Sequence, residues 1–304
     1  MDITTKNLLQ EIQELKTRLK AVILAHNYQP DDIQANADIT GDSLELARAA
    51  SKTTADVIVF CGVHFMAETA AILNPEKTVL MPNPNAGCPM ADMINAQQLR
   101  QMKAEHPNAA VVCYVNSSAE VKAESDICCT SSNAIQVVNS VKEDEIIFVP
   151  DKNLGRYVSS FTNKNIICWK GFCPTHVWLT VQDVIAVKQA YPEASFIAHP
   201  ECEPEILAMA DYVCSTAKML KYAKEATTSE IIVGTEVGML FRLSKENPQK
   251  TFIPASSRIV CPNMKKNSLE TLHDSLLFLK TQIEVPRKIR ERALGSIKRM
   301  LDVI

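Results

Sequence analysis

The stretch Ala21-Val22-Ile23-Leu24-Ala25-His26-Asn27-Tyr28 is an unbroken apolar run that stops on a histidine. Two counterparts follow, Ala110-Val111-Val112-Cys113-Tyr114-Val115-Asn116 and Ser195-Phe196-Ile197-Ala198-His199-Pro200-Glu201. Measured from Asp38, Asp126 and Asp211, which lie 88 and 85 residues apart, His26, Tyr114 and His199 each stand 12 residues upstream. Tyr28, Asn116 and Glu201 come two residues later, and the hydroxyls of Ser43, Ser131 and Thr216 stand 5 residues downstream of each origin. Val79, Ile167 and Phe252 each fall 41 residues past theirs. Register kept over so many positions marks the chain as three copies of one unit.

Each copy reads as strand, helix, strand, helix, strand, a loop carrying Cys-Pro, and a helix. The strands are continuous apolar runs, such as Val57 to Phe60, Ile146 to Val149 and Ile231 to Val233, which suits parallel sheets covered on both faces. The expected fold is therefore α/β: three homologous three-layer αβα units about a pseudo-threefold axis, with an active site at the centre. Side chains that do chemistry gather at the carboxyl ends of parallel strands, where the repeat puts His26, Tyr114 and His199. The turns His106-Pro107 and Tyr191-Pro192 divide the units into 1–105, 106–191 and 192–304. An opening helix with Leu8, Ile12, Leu15 and Leu19 on one face, and a closing helix from about Pro286, would cover the outside.

The 304 residues provide ample core for such units. A formal charge of −3 leaves no basic footprint for nucleic acid. The start, Met1-Asp2-Ile3-Thr4-Thr5-Lys6, has no charged-then-apolar leader pattern, and no apolar run reaches membrane-spanning length. A cytoplasmic protein is expected, so the 10 cysteines point to metal or catalytic use rather than disulfides. The 8 glycines form no nucleotide-cradling motif, and the absence of any C-x-x-C pair argues against structural zinc.

Cys88-Pro89, Cys173-Pro174 and Cys261-Pro262 recur at intervals of 85 and 88 residues. A cysteine before proline at a helix start occupies the N-cap, where the helix dipole favours thiolate. Three such sulfurs converging on one point, with no fourth, suit an iron-sulfur cluster with one open iron. Cys61, Cys113, Cys128, Cys129, Cys168, Cys202 and Cys214 read instead as small apolar residues. Ser43, Ser131 and Thr216 open helices, where a hydroxyl is usually an N-cap; three facing one cavity form a pocket for a small, multiply anionic substrate. His26, Tyr28, Tyr114, His199 and Glu201 add proton-transfer groups.

In the stretches His26-Asn27-Tyr28-Gln29, Gly41-Asp42-Ser43, Phe65-Met66-Ala67-Glu68, Cys88-Pro89-Met90-Ala91, Tyr114-Val115-Asn116-Ser117, Cys173-Pro174-Thr175-His176, His199-Pro200-Glu201-Cys202, Gly234-Thr235-Glu236-Val237-Gly238-Met239 and Asn263-Met264-Lys265-Lys266-Asn267, the chain resembles the quinolinate synthases, in order and along nearly its whole length. The resemblance implies a three-domain pseudo-symmetric α/β enzyme with a central [4Fe-4S] cluster on Cys88, Cys173 and Cys261. It implies condensation of iminoaspartate with dihydroxyacetone phosphate to quinolinate, releasing phosphate and water, in NAD biosynthesis. Coupling to an aspartate oxidase or dehydrogenase that makes the imine goes with it. With pocket logic it suggests Glu201 as general base and Tyr28, Tyr114, His26 and His199 as proton-transfer or orienting groups. Ser43, Ser131, Asn116 and Thr216 then hold phosphate or carboxylates, a binding set that His26, Tyr114, His199 and Glu201 complete. Some members carry C-x-x-C-x-x-C near the last ligand; Cys261-Pro262-Asn263-Met264 marks the shorter form. Two other classes fit the ligand pattern: a hydro-lyase acting on another hydroxy acid, and a non-enzymatic iron-sulfur sensor. The sensor leaves the anion-binding hydroxyls unexplained.

Overall fold

The computed structural model describes residues 3–303; Met1 and Asp2, and the last residue of the 192–304 span, lie outside the described residues. Three four-stranded sheets form, one per repeat, and every strand pairing within them is parallel. The first contains β1 (Ala21–His26), β2 (Ile39–Gly41), β3 (Val57–Cys61) and β4 (Thr78–Leu80); the second β5 (Ala110–Tyr114), β6 (Ile127–Cys129), β7 (Glu145–Val149) and β8 (Asn165–Cys168). The third contains β9 (Ser195–Ala198), β10 (Tyr212–Val213), β11 (Glu230–Gly234) and β12 (Thr251–Pro254). The spatial orders, β2-β1-β3-β4, β6-β5-β7-β8 and β10-β9-β11-β12, are the same in all three. Strands β3 and β5 are buried along their whole length, as continuous apolar runs between helical layers must be.

Sequence spacing predicts three strands per unit, and the structure has four. The extra ones, β2, β6 and β10, span only two or three residues, too few for any periodicity to register. What places them is the aspartate at each repeat origin. Its N–H donates to a carbonyl on the first strand, Asp38 to Ile23, Asp126 to Val111 and Asp211 to Phe196. Its carboxylate accepts the same residue's N–H in return, at 2.8, 2.8 and 2.7 Å respectively. The repeat thus preserves a two-bond clamp rather than a chance spacing.

The helices Ile3–Arg18 and Leu269–Phe278 pack together on the first unit, the latter against β3. The helix Arg287–Asp302 begins just after Pro286 and lies on the second unit, against β6 and the helix Ala119–Ala123. There Ser296 Oγ donates to the Lys122 carbonyl at 2.8 Å, and Ile297 and Met300 are fully buried. No helix among the described residues is long and apolar enough to cross a membrane.

Because a hydrogen bond to a charged acceptor contributes about 1.5–3 kcal/mol, Asp126→Ala should lower unfolding free energy by an amount in that range. Asp126→Asn, which keeps an acceptor oxygen, should lose less; denaturant titration of the two variants decides.

Candidate active site

The strand ends of all three units face one cavity of about 270 Å³. His26, Tyr28, Ser43 and Cys88 come to it from the first unit, Tyr114, Asn116, Ser131 and Cys173 from the second, and His199, Glu201, Thr216 and Cys261 from the third. Every residue singled out in the sequence as a site candidate therefore lines the same space.

Glu201 is its most constrained group. The residue is 3 % exposed, and Tyr114 Oη donates to Oε1 at 2.7 Å while Asn116 Nδ2 approaches the same oxygen at 3.4 Å. On Oε2, His176 Nδ1 stands at 2.7 Å and His199 Nδ1 at 3.6 Å. Burial alone would raise its pKa, but the charge and hydrogen bond of His176, the charge of His199 and the Tyr114 hydroxyl bring it down to about 2. Burial acts unopposed enough on two histidines: His26 and His199 are each lowered to about 3, chiefly by desolvation, with Glu201 pulling the other way. Tyr28 and Tyr114 are pushed well up, first by burial and then by the Glu201 charge. Near neutral pH Glu201 is therefore a carboxylate, His26 and His199 are neutral imidazoles, and Tyr28 and Tyr114 are protonated phenols.

The hydroxyls differ from expectation in a useful way. Asp42, not Ser43, caps the helix Ser43–Lys52, taking the amides of Leu44 and Glu45 at 2.9 and 2.8 Å while Glu45 returns a bond to the Asp42 N–H. Ser215, not Thr216, caps Thr216–Glu225, and Asn133 is the N-cap of Ala134–Ser140. Ser43 and Thr216 are thus first helical residues, and Ser131 lies in the preceding turn. Since neighbours occupy the cap positions, these three hydroxyls need not serve the helices. Asn27 Nδ2 donates to Thr216 Oγ1 at 3.0 Å, and Arg242 donates to Asn27 Oδ1 at 3.0 Å. Ser131 Oγ lies 3.2 Å from His199 Nε2. Deeper in, Ser132 Oγ bonds both Asp42 Oδ2 and, at 2.7 Å, Ser215 Oγ, joining loops from all three units.

The Cys-Pro sites also depart from expectation. Only Cys173 caps an α-helix, the single turn Pro174–Val177; Cys88 and Cys261 precede turns that lead into the 3-10 segments Ala91–Met93 and Met264–Lys266. The thiols are not lowered either. Burial pushes Cys88 up to about 12, and Cys173 and Cys261 are raised as well, so one turn's dipole loses to desolvation. The backbone N–H groups still point at the sulfurs: those of Ala91 and Met90 at Cys88, His176 at Cys173, Met264 and Asn263 at Cys261. Three cysteine sulfurs around one cavity, each with amide donors and no further cysteine beside them, fit a polynuclear iron-sulfur group, whose sulfurs are tuned by such bonds. The other cysteines lie away from the cavity lining, and six of them are buried.

Several lining residues escaped the sequence reading. His176, 1 % exposed, sits between Cys173 Sγ at 3.2 Å and Glu201; its place three residues after a cysteine on one helical turn was the available signal. Glu236 takes the Cys261 N–H at 3.0 Å and pairs with Lys265, whose Nζ also donates to the Tyr28 carbonyl at 2.6 Å. It directly follows Thr235, at the end of β11, a strand terminus the repeat did not flag.

The comparison with known proteins agrees with this geometry. The sequence profile of the quinolinate synthetase A protein family matches residues 10–302. A relative from Dehalococcoides mccartyi named quinolinate synthase is 57 % identical over 299 residues, covering 98 % of this chain and 99 % of its own. Relatives of the same name from Geotalea uraniireducens and Methanoregula boonei are each 55 % identical, over 293 and 297 residues, with 96 % and 98 % of both chains covered. A match that runs from the opening helix to the closing one leaves no unit unaccounted for, and the chain belongs to the quinolinate synthetase A protein family.

Proposed function

We propose that the chain condenses iminoaspartate with dihydroxyacetone phosphate to quinolinate, releasing phosphate and water, and so feeds NAD biosynthesis. The observation that carries this reading is the convergence on one cavity of three cysteines, three hydroxyls that do not cap their helices and the ionised carboxylate of Glu201 flanked by imidazoles and phenols. Iminoaspartate requires an oxidase or dehydrogenase acting on aspartate to supply it. Ten cysteines with no disulfide among them suit the reducing cytoplasm.

The substrates carry a phosphate and two carboxylates, and the cavity offers donors for them. Ser43, Ser131 and Thr216 stand at or just before helix starts, where backbone amides and the dipole favour anions. The bond from Asn27 to Thr216 Oγ1 leaves the threonine proton to point at the ligand. Asn116 Oδ1 is buried with no partner and accepts an N–H or O–H from the bound substrate, since leaving it unpaired is costly. Glu201 is the general base: it is ionised, out of water, and within reach of groups on both its oxygens. Tyr28, protonated, donates to an oxygen that gains charge, while Tyr114 keeps its proton on Glu201 and orients it; His26 and His199, neutral, accept or relay a proton. When bound on Cys88, Cys173 and Cys261, a [4Fe-4S] cluster supplies Lewis acidity from its open iron toward a substrate oxygen.

Glu201→Gln should reduce kcat by about 10²–10⁴-fold, the usual worth of a general base, in anaerobic assays of quinolinate formation from the two substrates. Turnover without the triose phosphate would contradict the proposed reaction. Cys88→Ala, Cys173→Ala and Cys261→Ala should each abolish both the visible absorption of anaerobically purified protein and quinolinate formation, whereas Cys168→Ala, outside the cavity, should keep both. The pH dependence has a definite sign. Below pH 6.5 the unfolded chain protonates histidines that the fold keeps neutral down to about 3, so stability must fall as pH drops through that window. His199→Gln should make that fall shallower, measured as melting temperature against pH.

A further inference from the structure

We infer that Arg242 is a positioning residue for the anion pocket: by holding the Asn27 side-chain amide in one orientation, it keeps the Thr216 hydroxyl proton free for an anionic oxygen of the substrate. The inference rests on the quinolinate-forming reading and deepens it. Among the described residues no arginine or lysine lines the cavity, so its side chains meet an anion with hydroxyls, amides and imidazoles, and the direction in which each points decides affinity. Thr216 is 2 % exposed and opens the helix Thr216–Glu225. Its Oγ1 accepts from Nδ2 of Asn27, a fully buried residue that follows β1 of the first unit. Arg242 stands on the helix Met239–Glu246 of the third unit. Its Nη1 donates to Asn27 Oδ1 at 3.0 Å and to the Thr40 carbonyl at 2.8 Å, while Nε meets Glu246 at 2.8 Å and so sets the guanidinium plane.

An amide can be turned over with almost no change of shape, its oxygen and nitrogen then exchanging places. A guanidinium has donors and no acceptor, so beside Arg242 the Asn27 oxygen must face Nη1 and the nitrogen must face Thr216. A hydroxyl that accepts one bond still has its own proton to give, and among the described residues no acceptor takes it. The amides and dipole of the same helix start favour a negative charge there. Without Arg242 the amide loses the partner that selects its orientation. Turned over, it takes the Thr216 proton on Oδ1, and the hydroxyl then presents the pocket with lone pairs that repel an anion. The guanidinium itself stays outside the cavity lining, paired to Glu246 and 3.7 Å from Glu45, so its effect on the ligand passes through Asn27.

The probes are quinolinate and inorganic phosphate, titrated separately into anaerobic holoenzyme, so that the group Thr216 holds is identified as carboxylate or phosphate without turnover. Arg242→Met keeps the stem and deletes every donor. It should raise Kd for one or both probes about 10-fold, equivalent to about 1.4 kcal/mol, and raise KM for the substrate bearing that group while kcat stays near wild type. Arg242→Lys, which retains a donor for Asn27 Oδ1, should recover part of the affinity. Asn27→Asp separates this role from a structural one: it keeps the shape and strengthens the pairing with Arg242, yet its carboxylate takes the Thr216 proton, so it should weaken the same anion at least as much. In a Thr216→Val background Arg242→Met should have little further effect. Should Arg242→Met fail to fold, Asn27→Asp with and without Thr216→Val makes the same comparison. The inference is overturned if Arg242→Met or Asn27→Asp binds both anions like wild type, or if either weakens binding as much in the Thr216→Val background as outside it. A wild-type enzyme that forms no quinolinate would instead remove the underlying function, and this inference with it.

Discussion

A carboxylate sealed away from water keeps its charge only if neighbours replace the water. At Glu201 they do, and the important ones come from a different unit. Tyr114 ends the first strand of the second sheet, and His176 stands one helical turn past Cys173, while Glu201 itself follows the first strand of the third. The bonds that hold the charge therefore also fix the distance between the second and third units and seat one of the three sulfurs. Taking away either partner would leave a buried charge unpaired, a larger cost than the pair's own contribution.

The remaining cavity wall follows from parallel-sheet geometry applied three times. Each unit turns the carboxyl ends of its strands inward, and each delivers one cysteine, one or two polar residues past the first strand, and one hydroxyl near a helix start. Three sulfurs without a fourth result from having three copies of one loop. Near the centre, Asp42 is saturated by two amides and the Ser132 hydroxyl. That acid is consumed in joining the units, so it does not oppose an anionic ligand as a bare carboxylate would.

Repeat spacing made much of this legible. His26, Tyr114 and His199 could be placed at strand ends, and Glu201 two residues past one, because continuous apolar runs bounded by polar residues have few other readings. The short strands β2, β6 and β10 could not be found, since two or three residues carry no period; their positions depend on a clamp whose partner lies 15 residues away. The assignment of caps slipped by one residue at two of the three helices for a related reason: Asp42 and Ser43, or Ser215 and Thr216, are equally good caps by type, and only backbone direction chooses. His176 was missed because it acts on Glu201 of another unit and stands at no position the repeat marks.

By itself the sequence determined the threefold internal repetition, the parallel α/β units and which three cysteines line the central cavity. These depend on patterns within about 90 residues, the length of one repeat. Tertiary structure alone decided the ionisation of the site. Burial raises the thiols and phenols and lowers two histidines, yet Glu201 stays charged because residues 25 and 87 positions upstream in the chain stand beside it. Desolvation and close pairing act through space, and no local pattern of residue types records them.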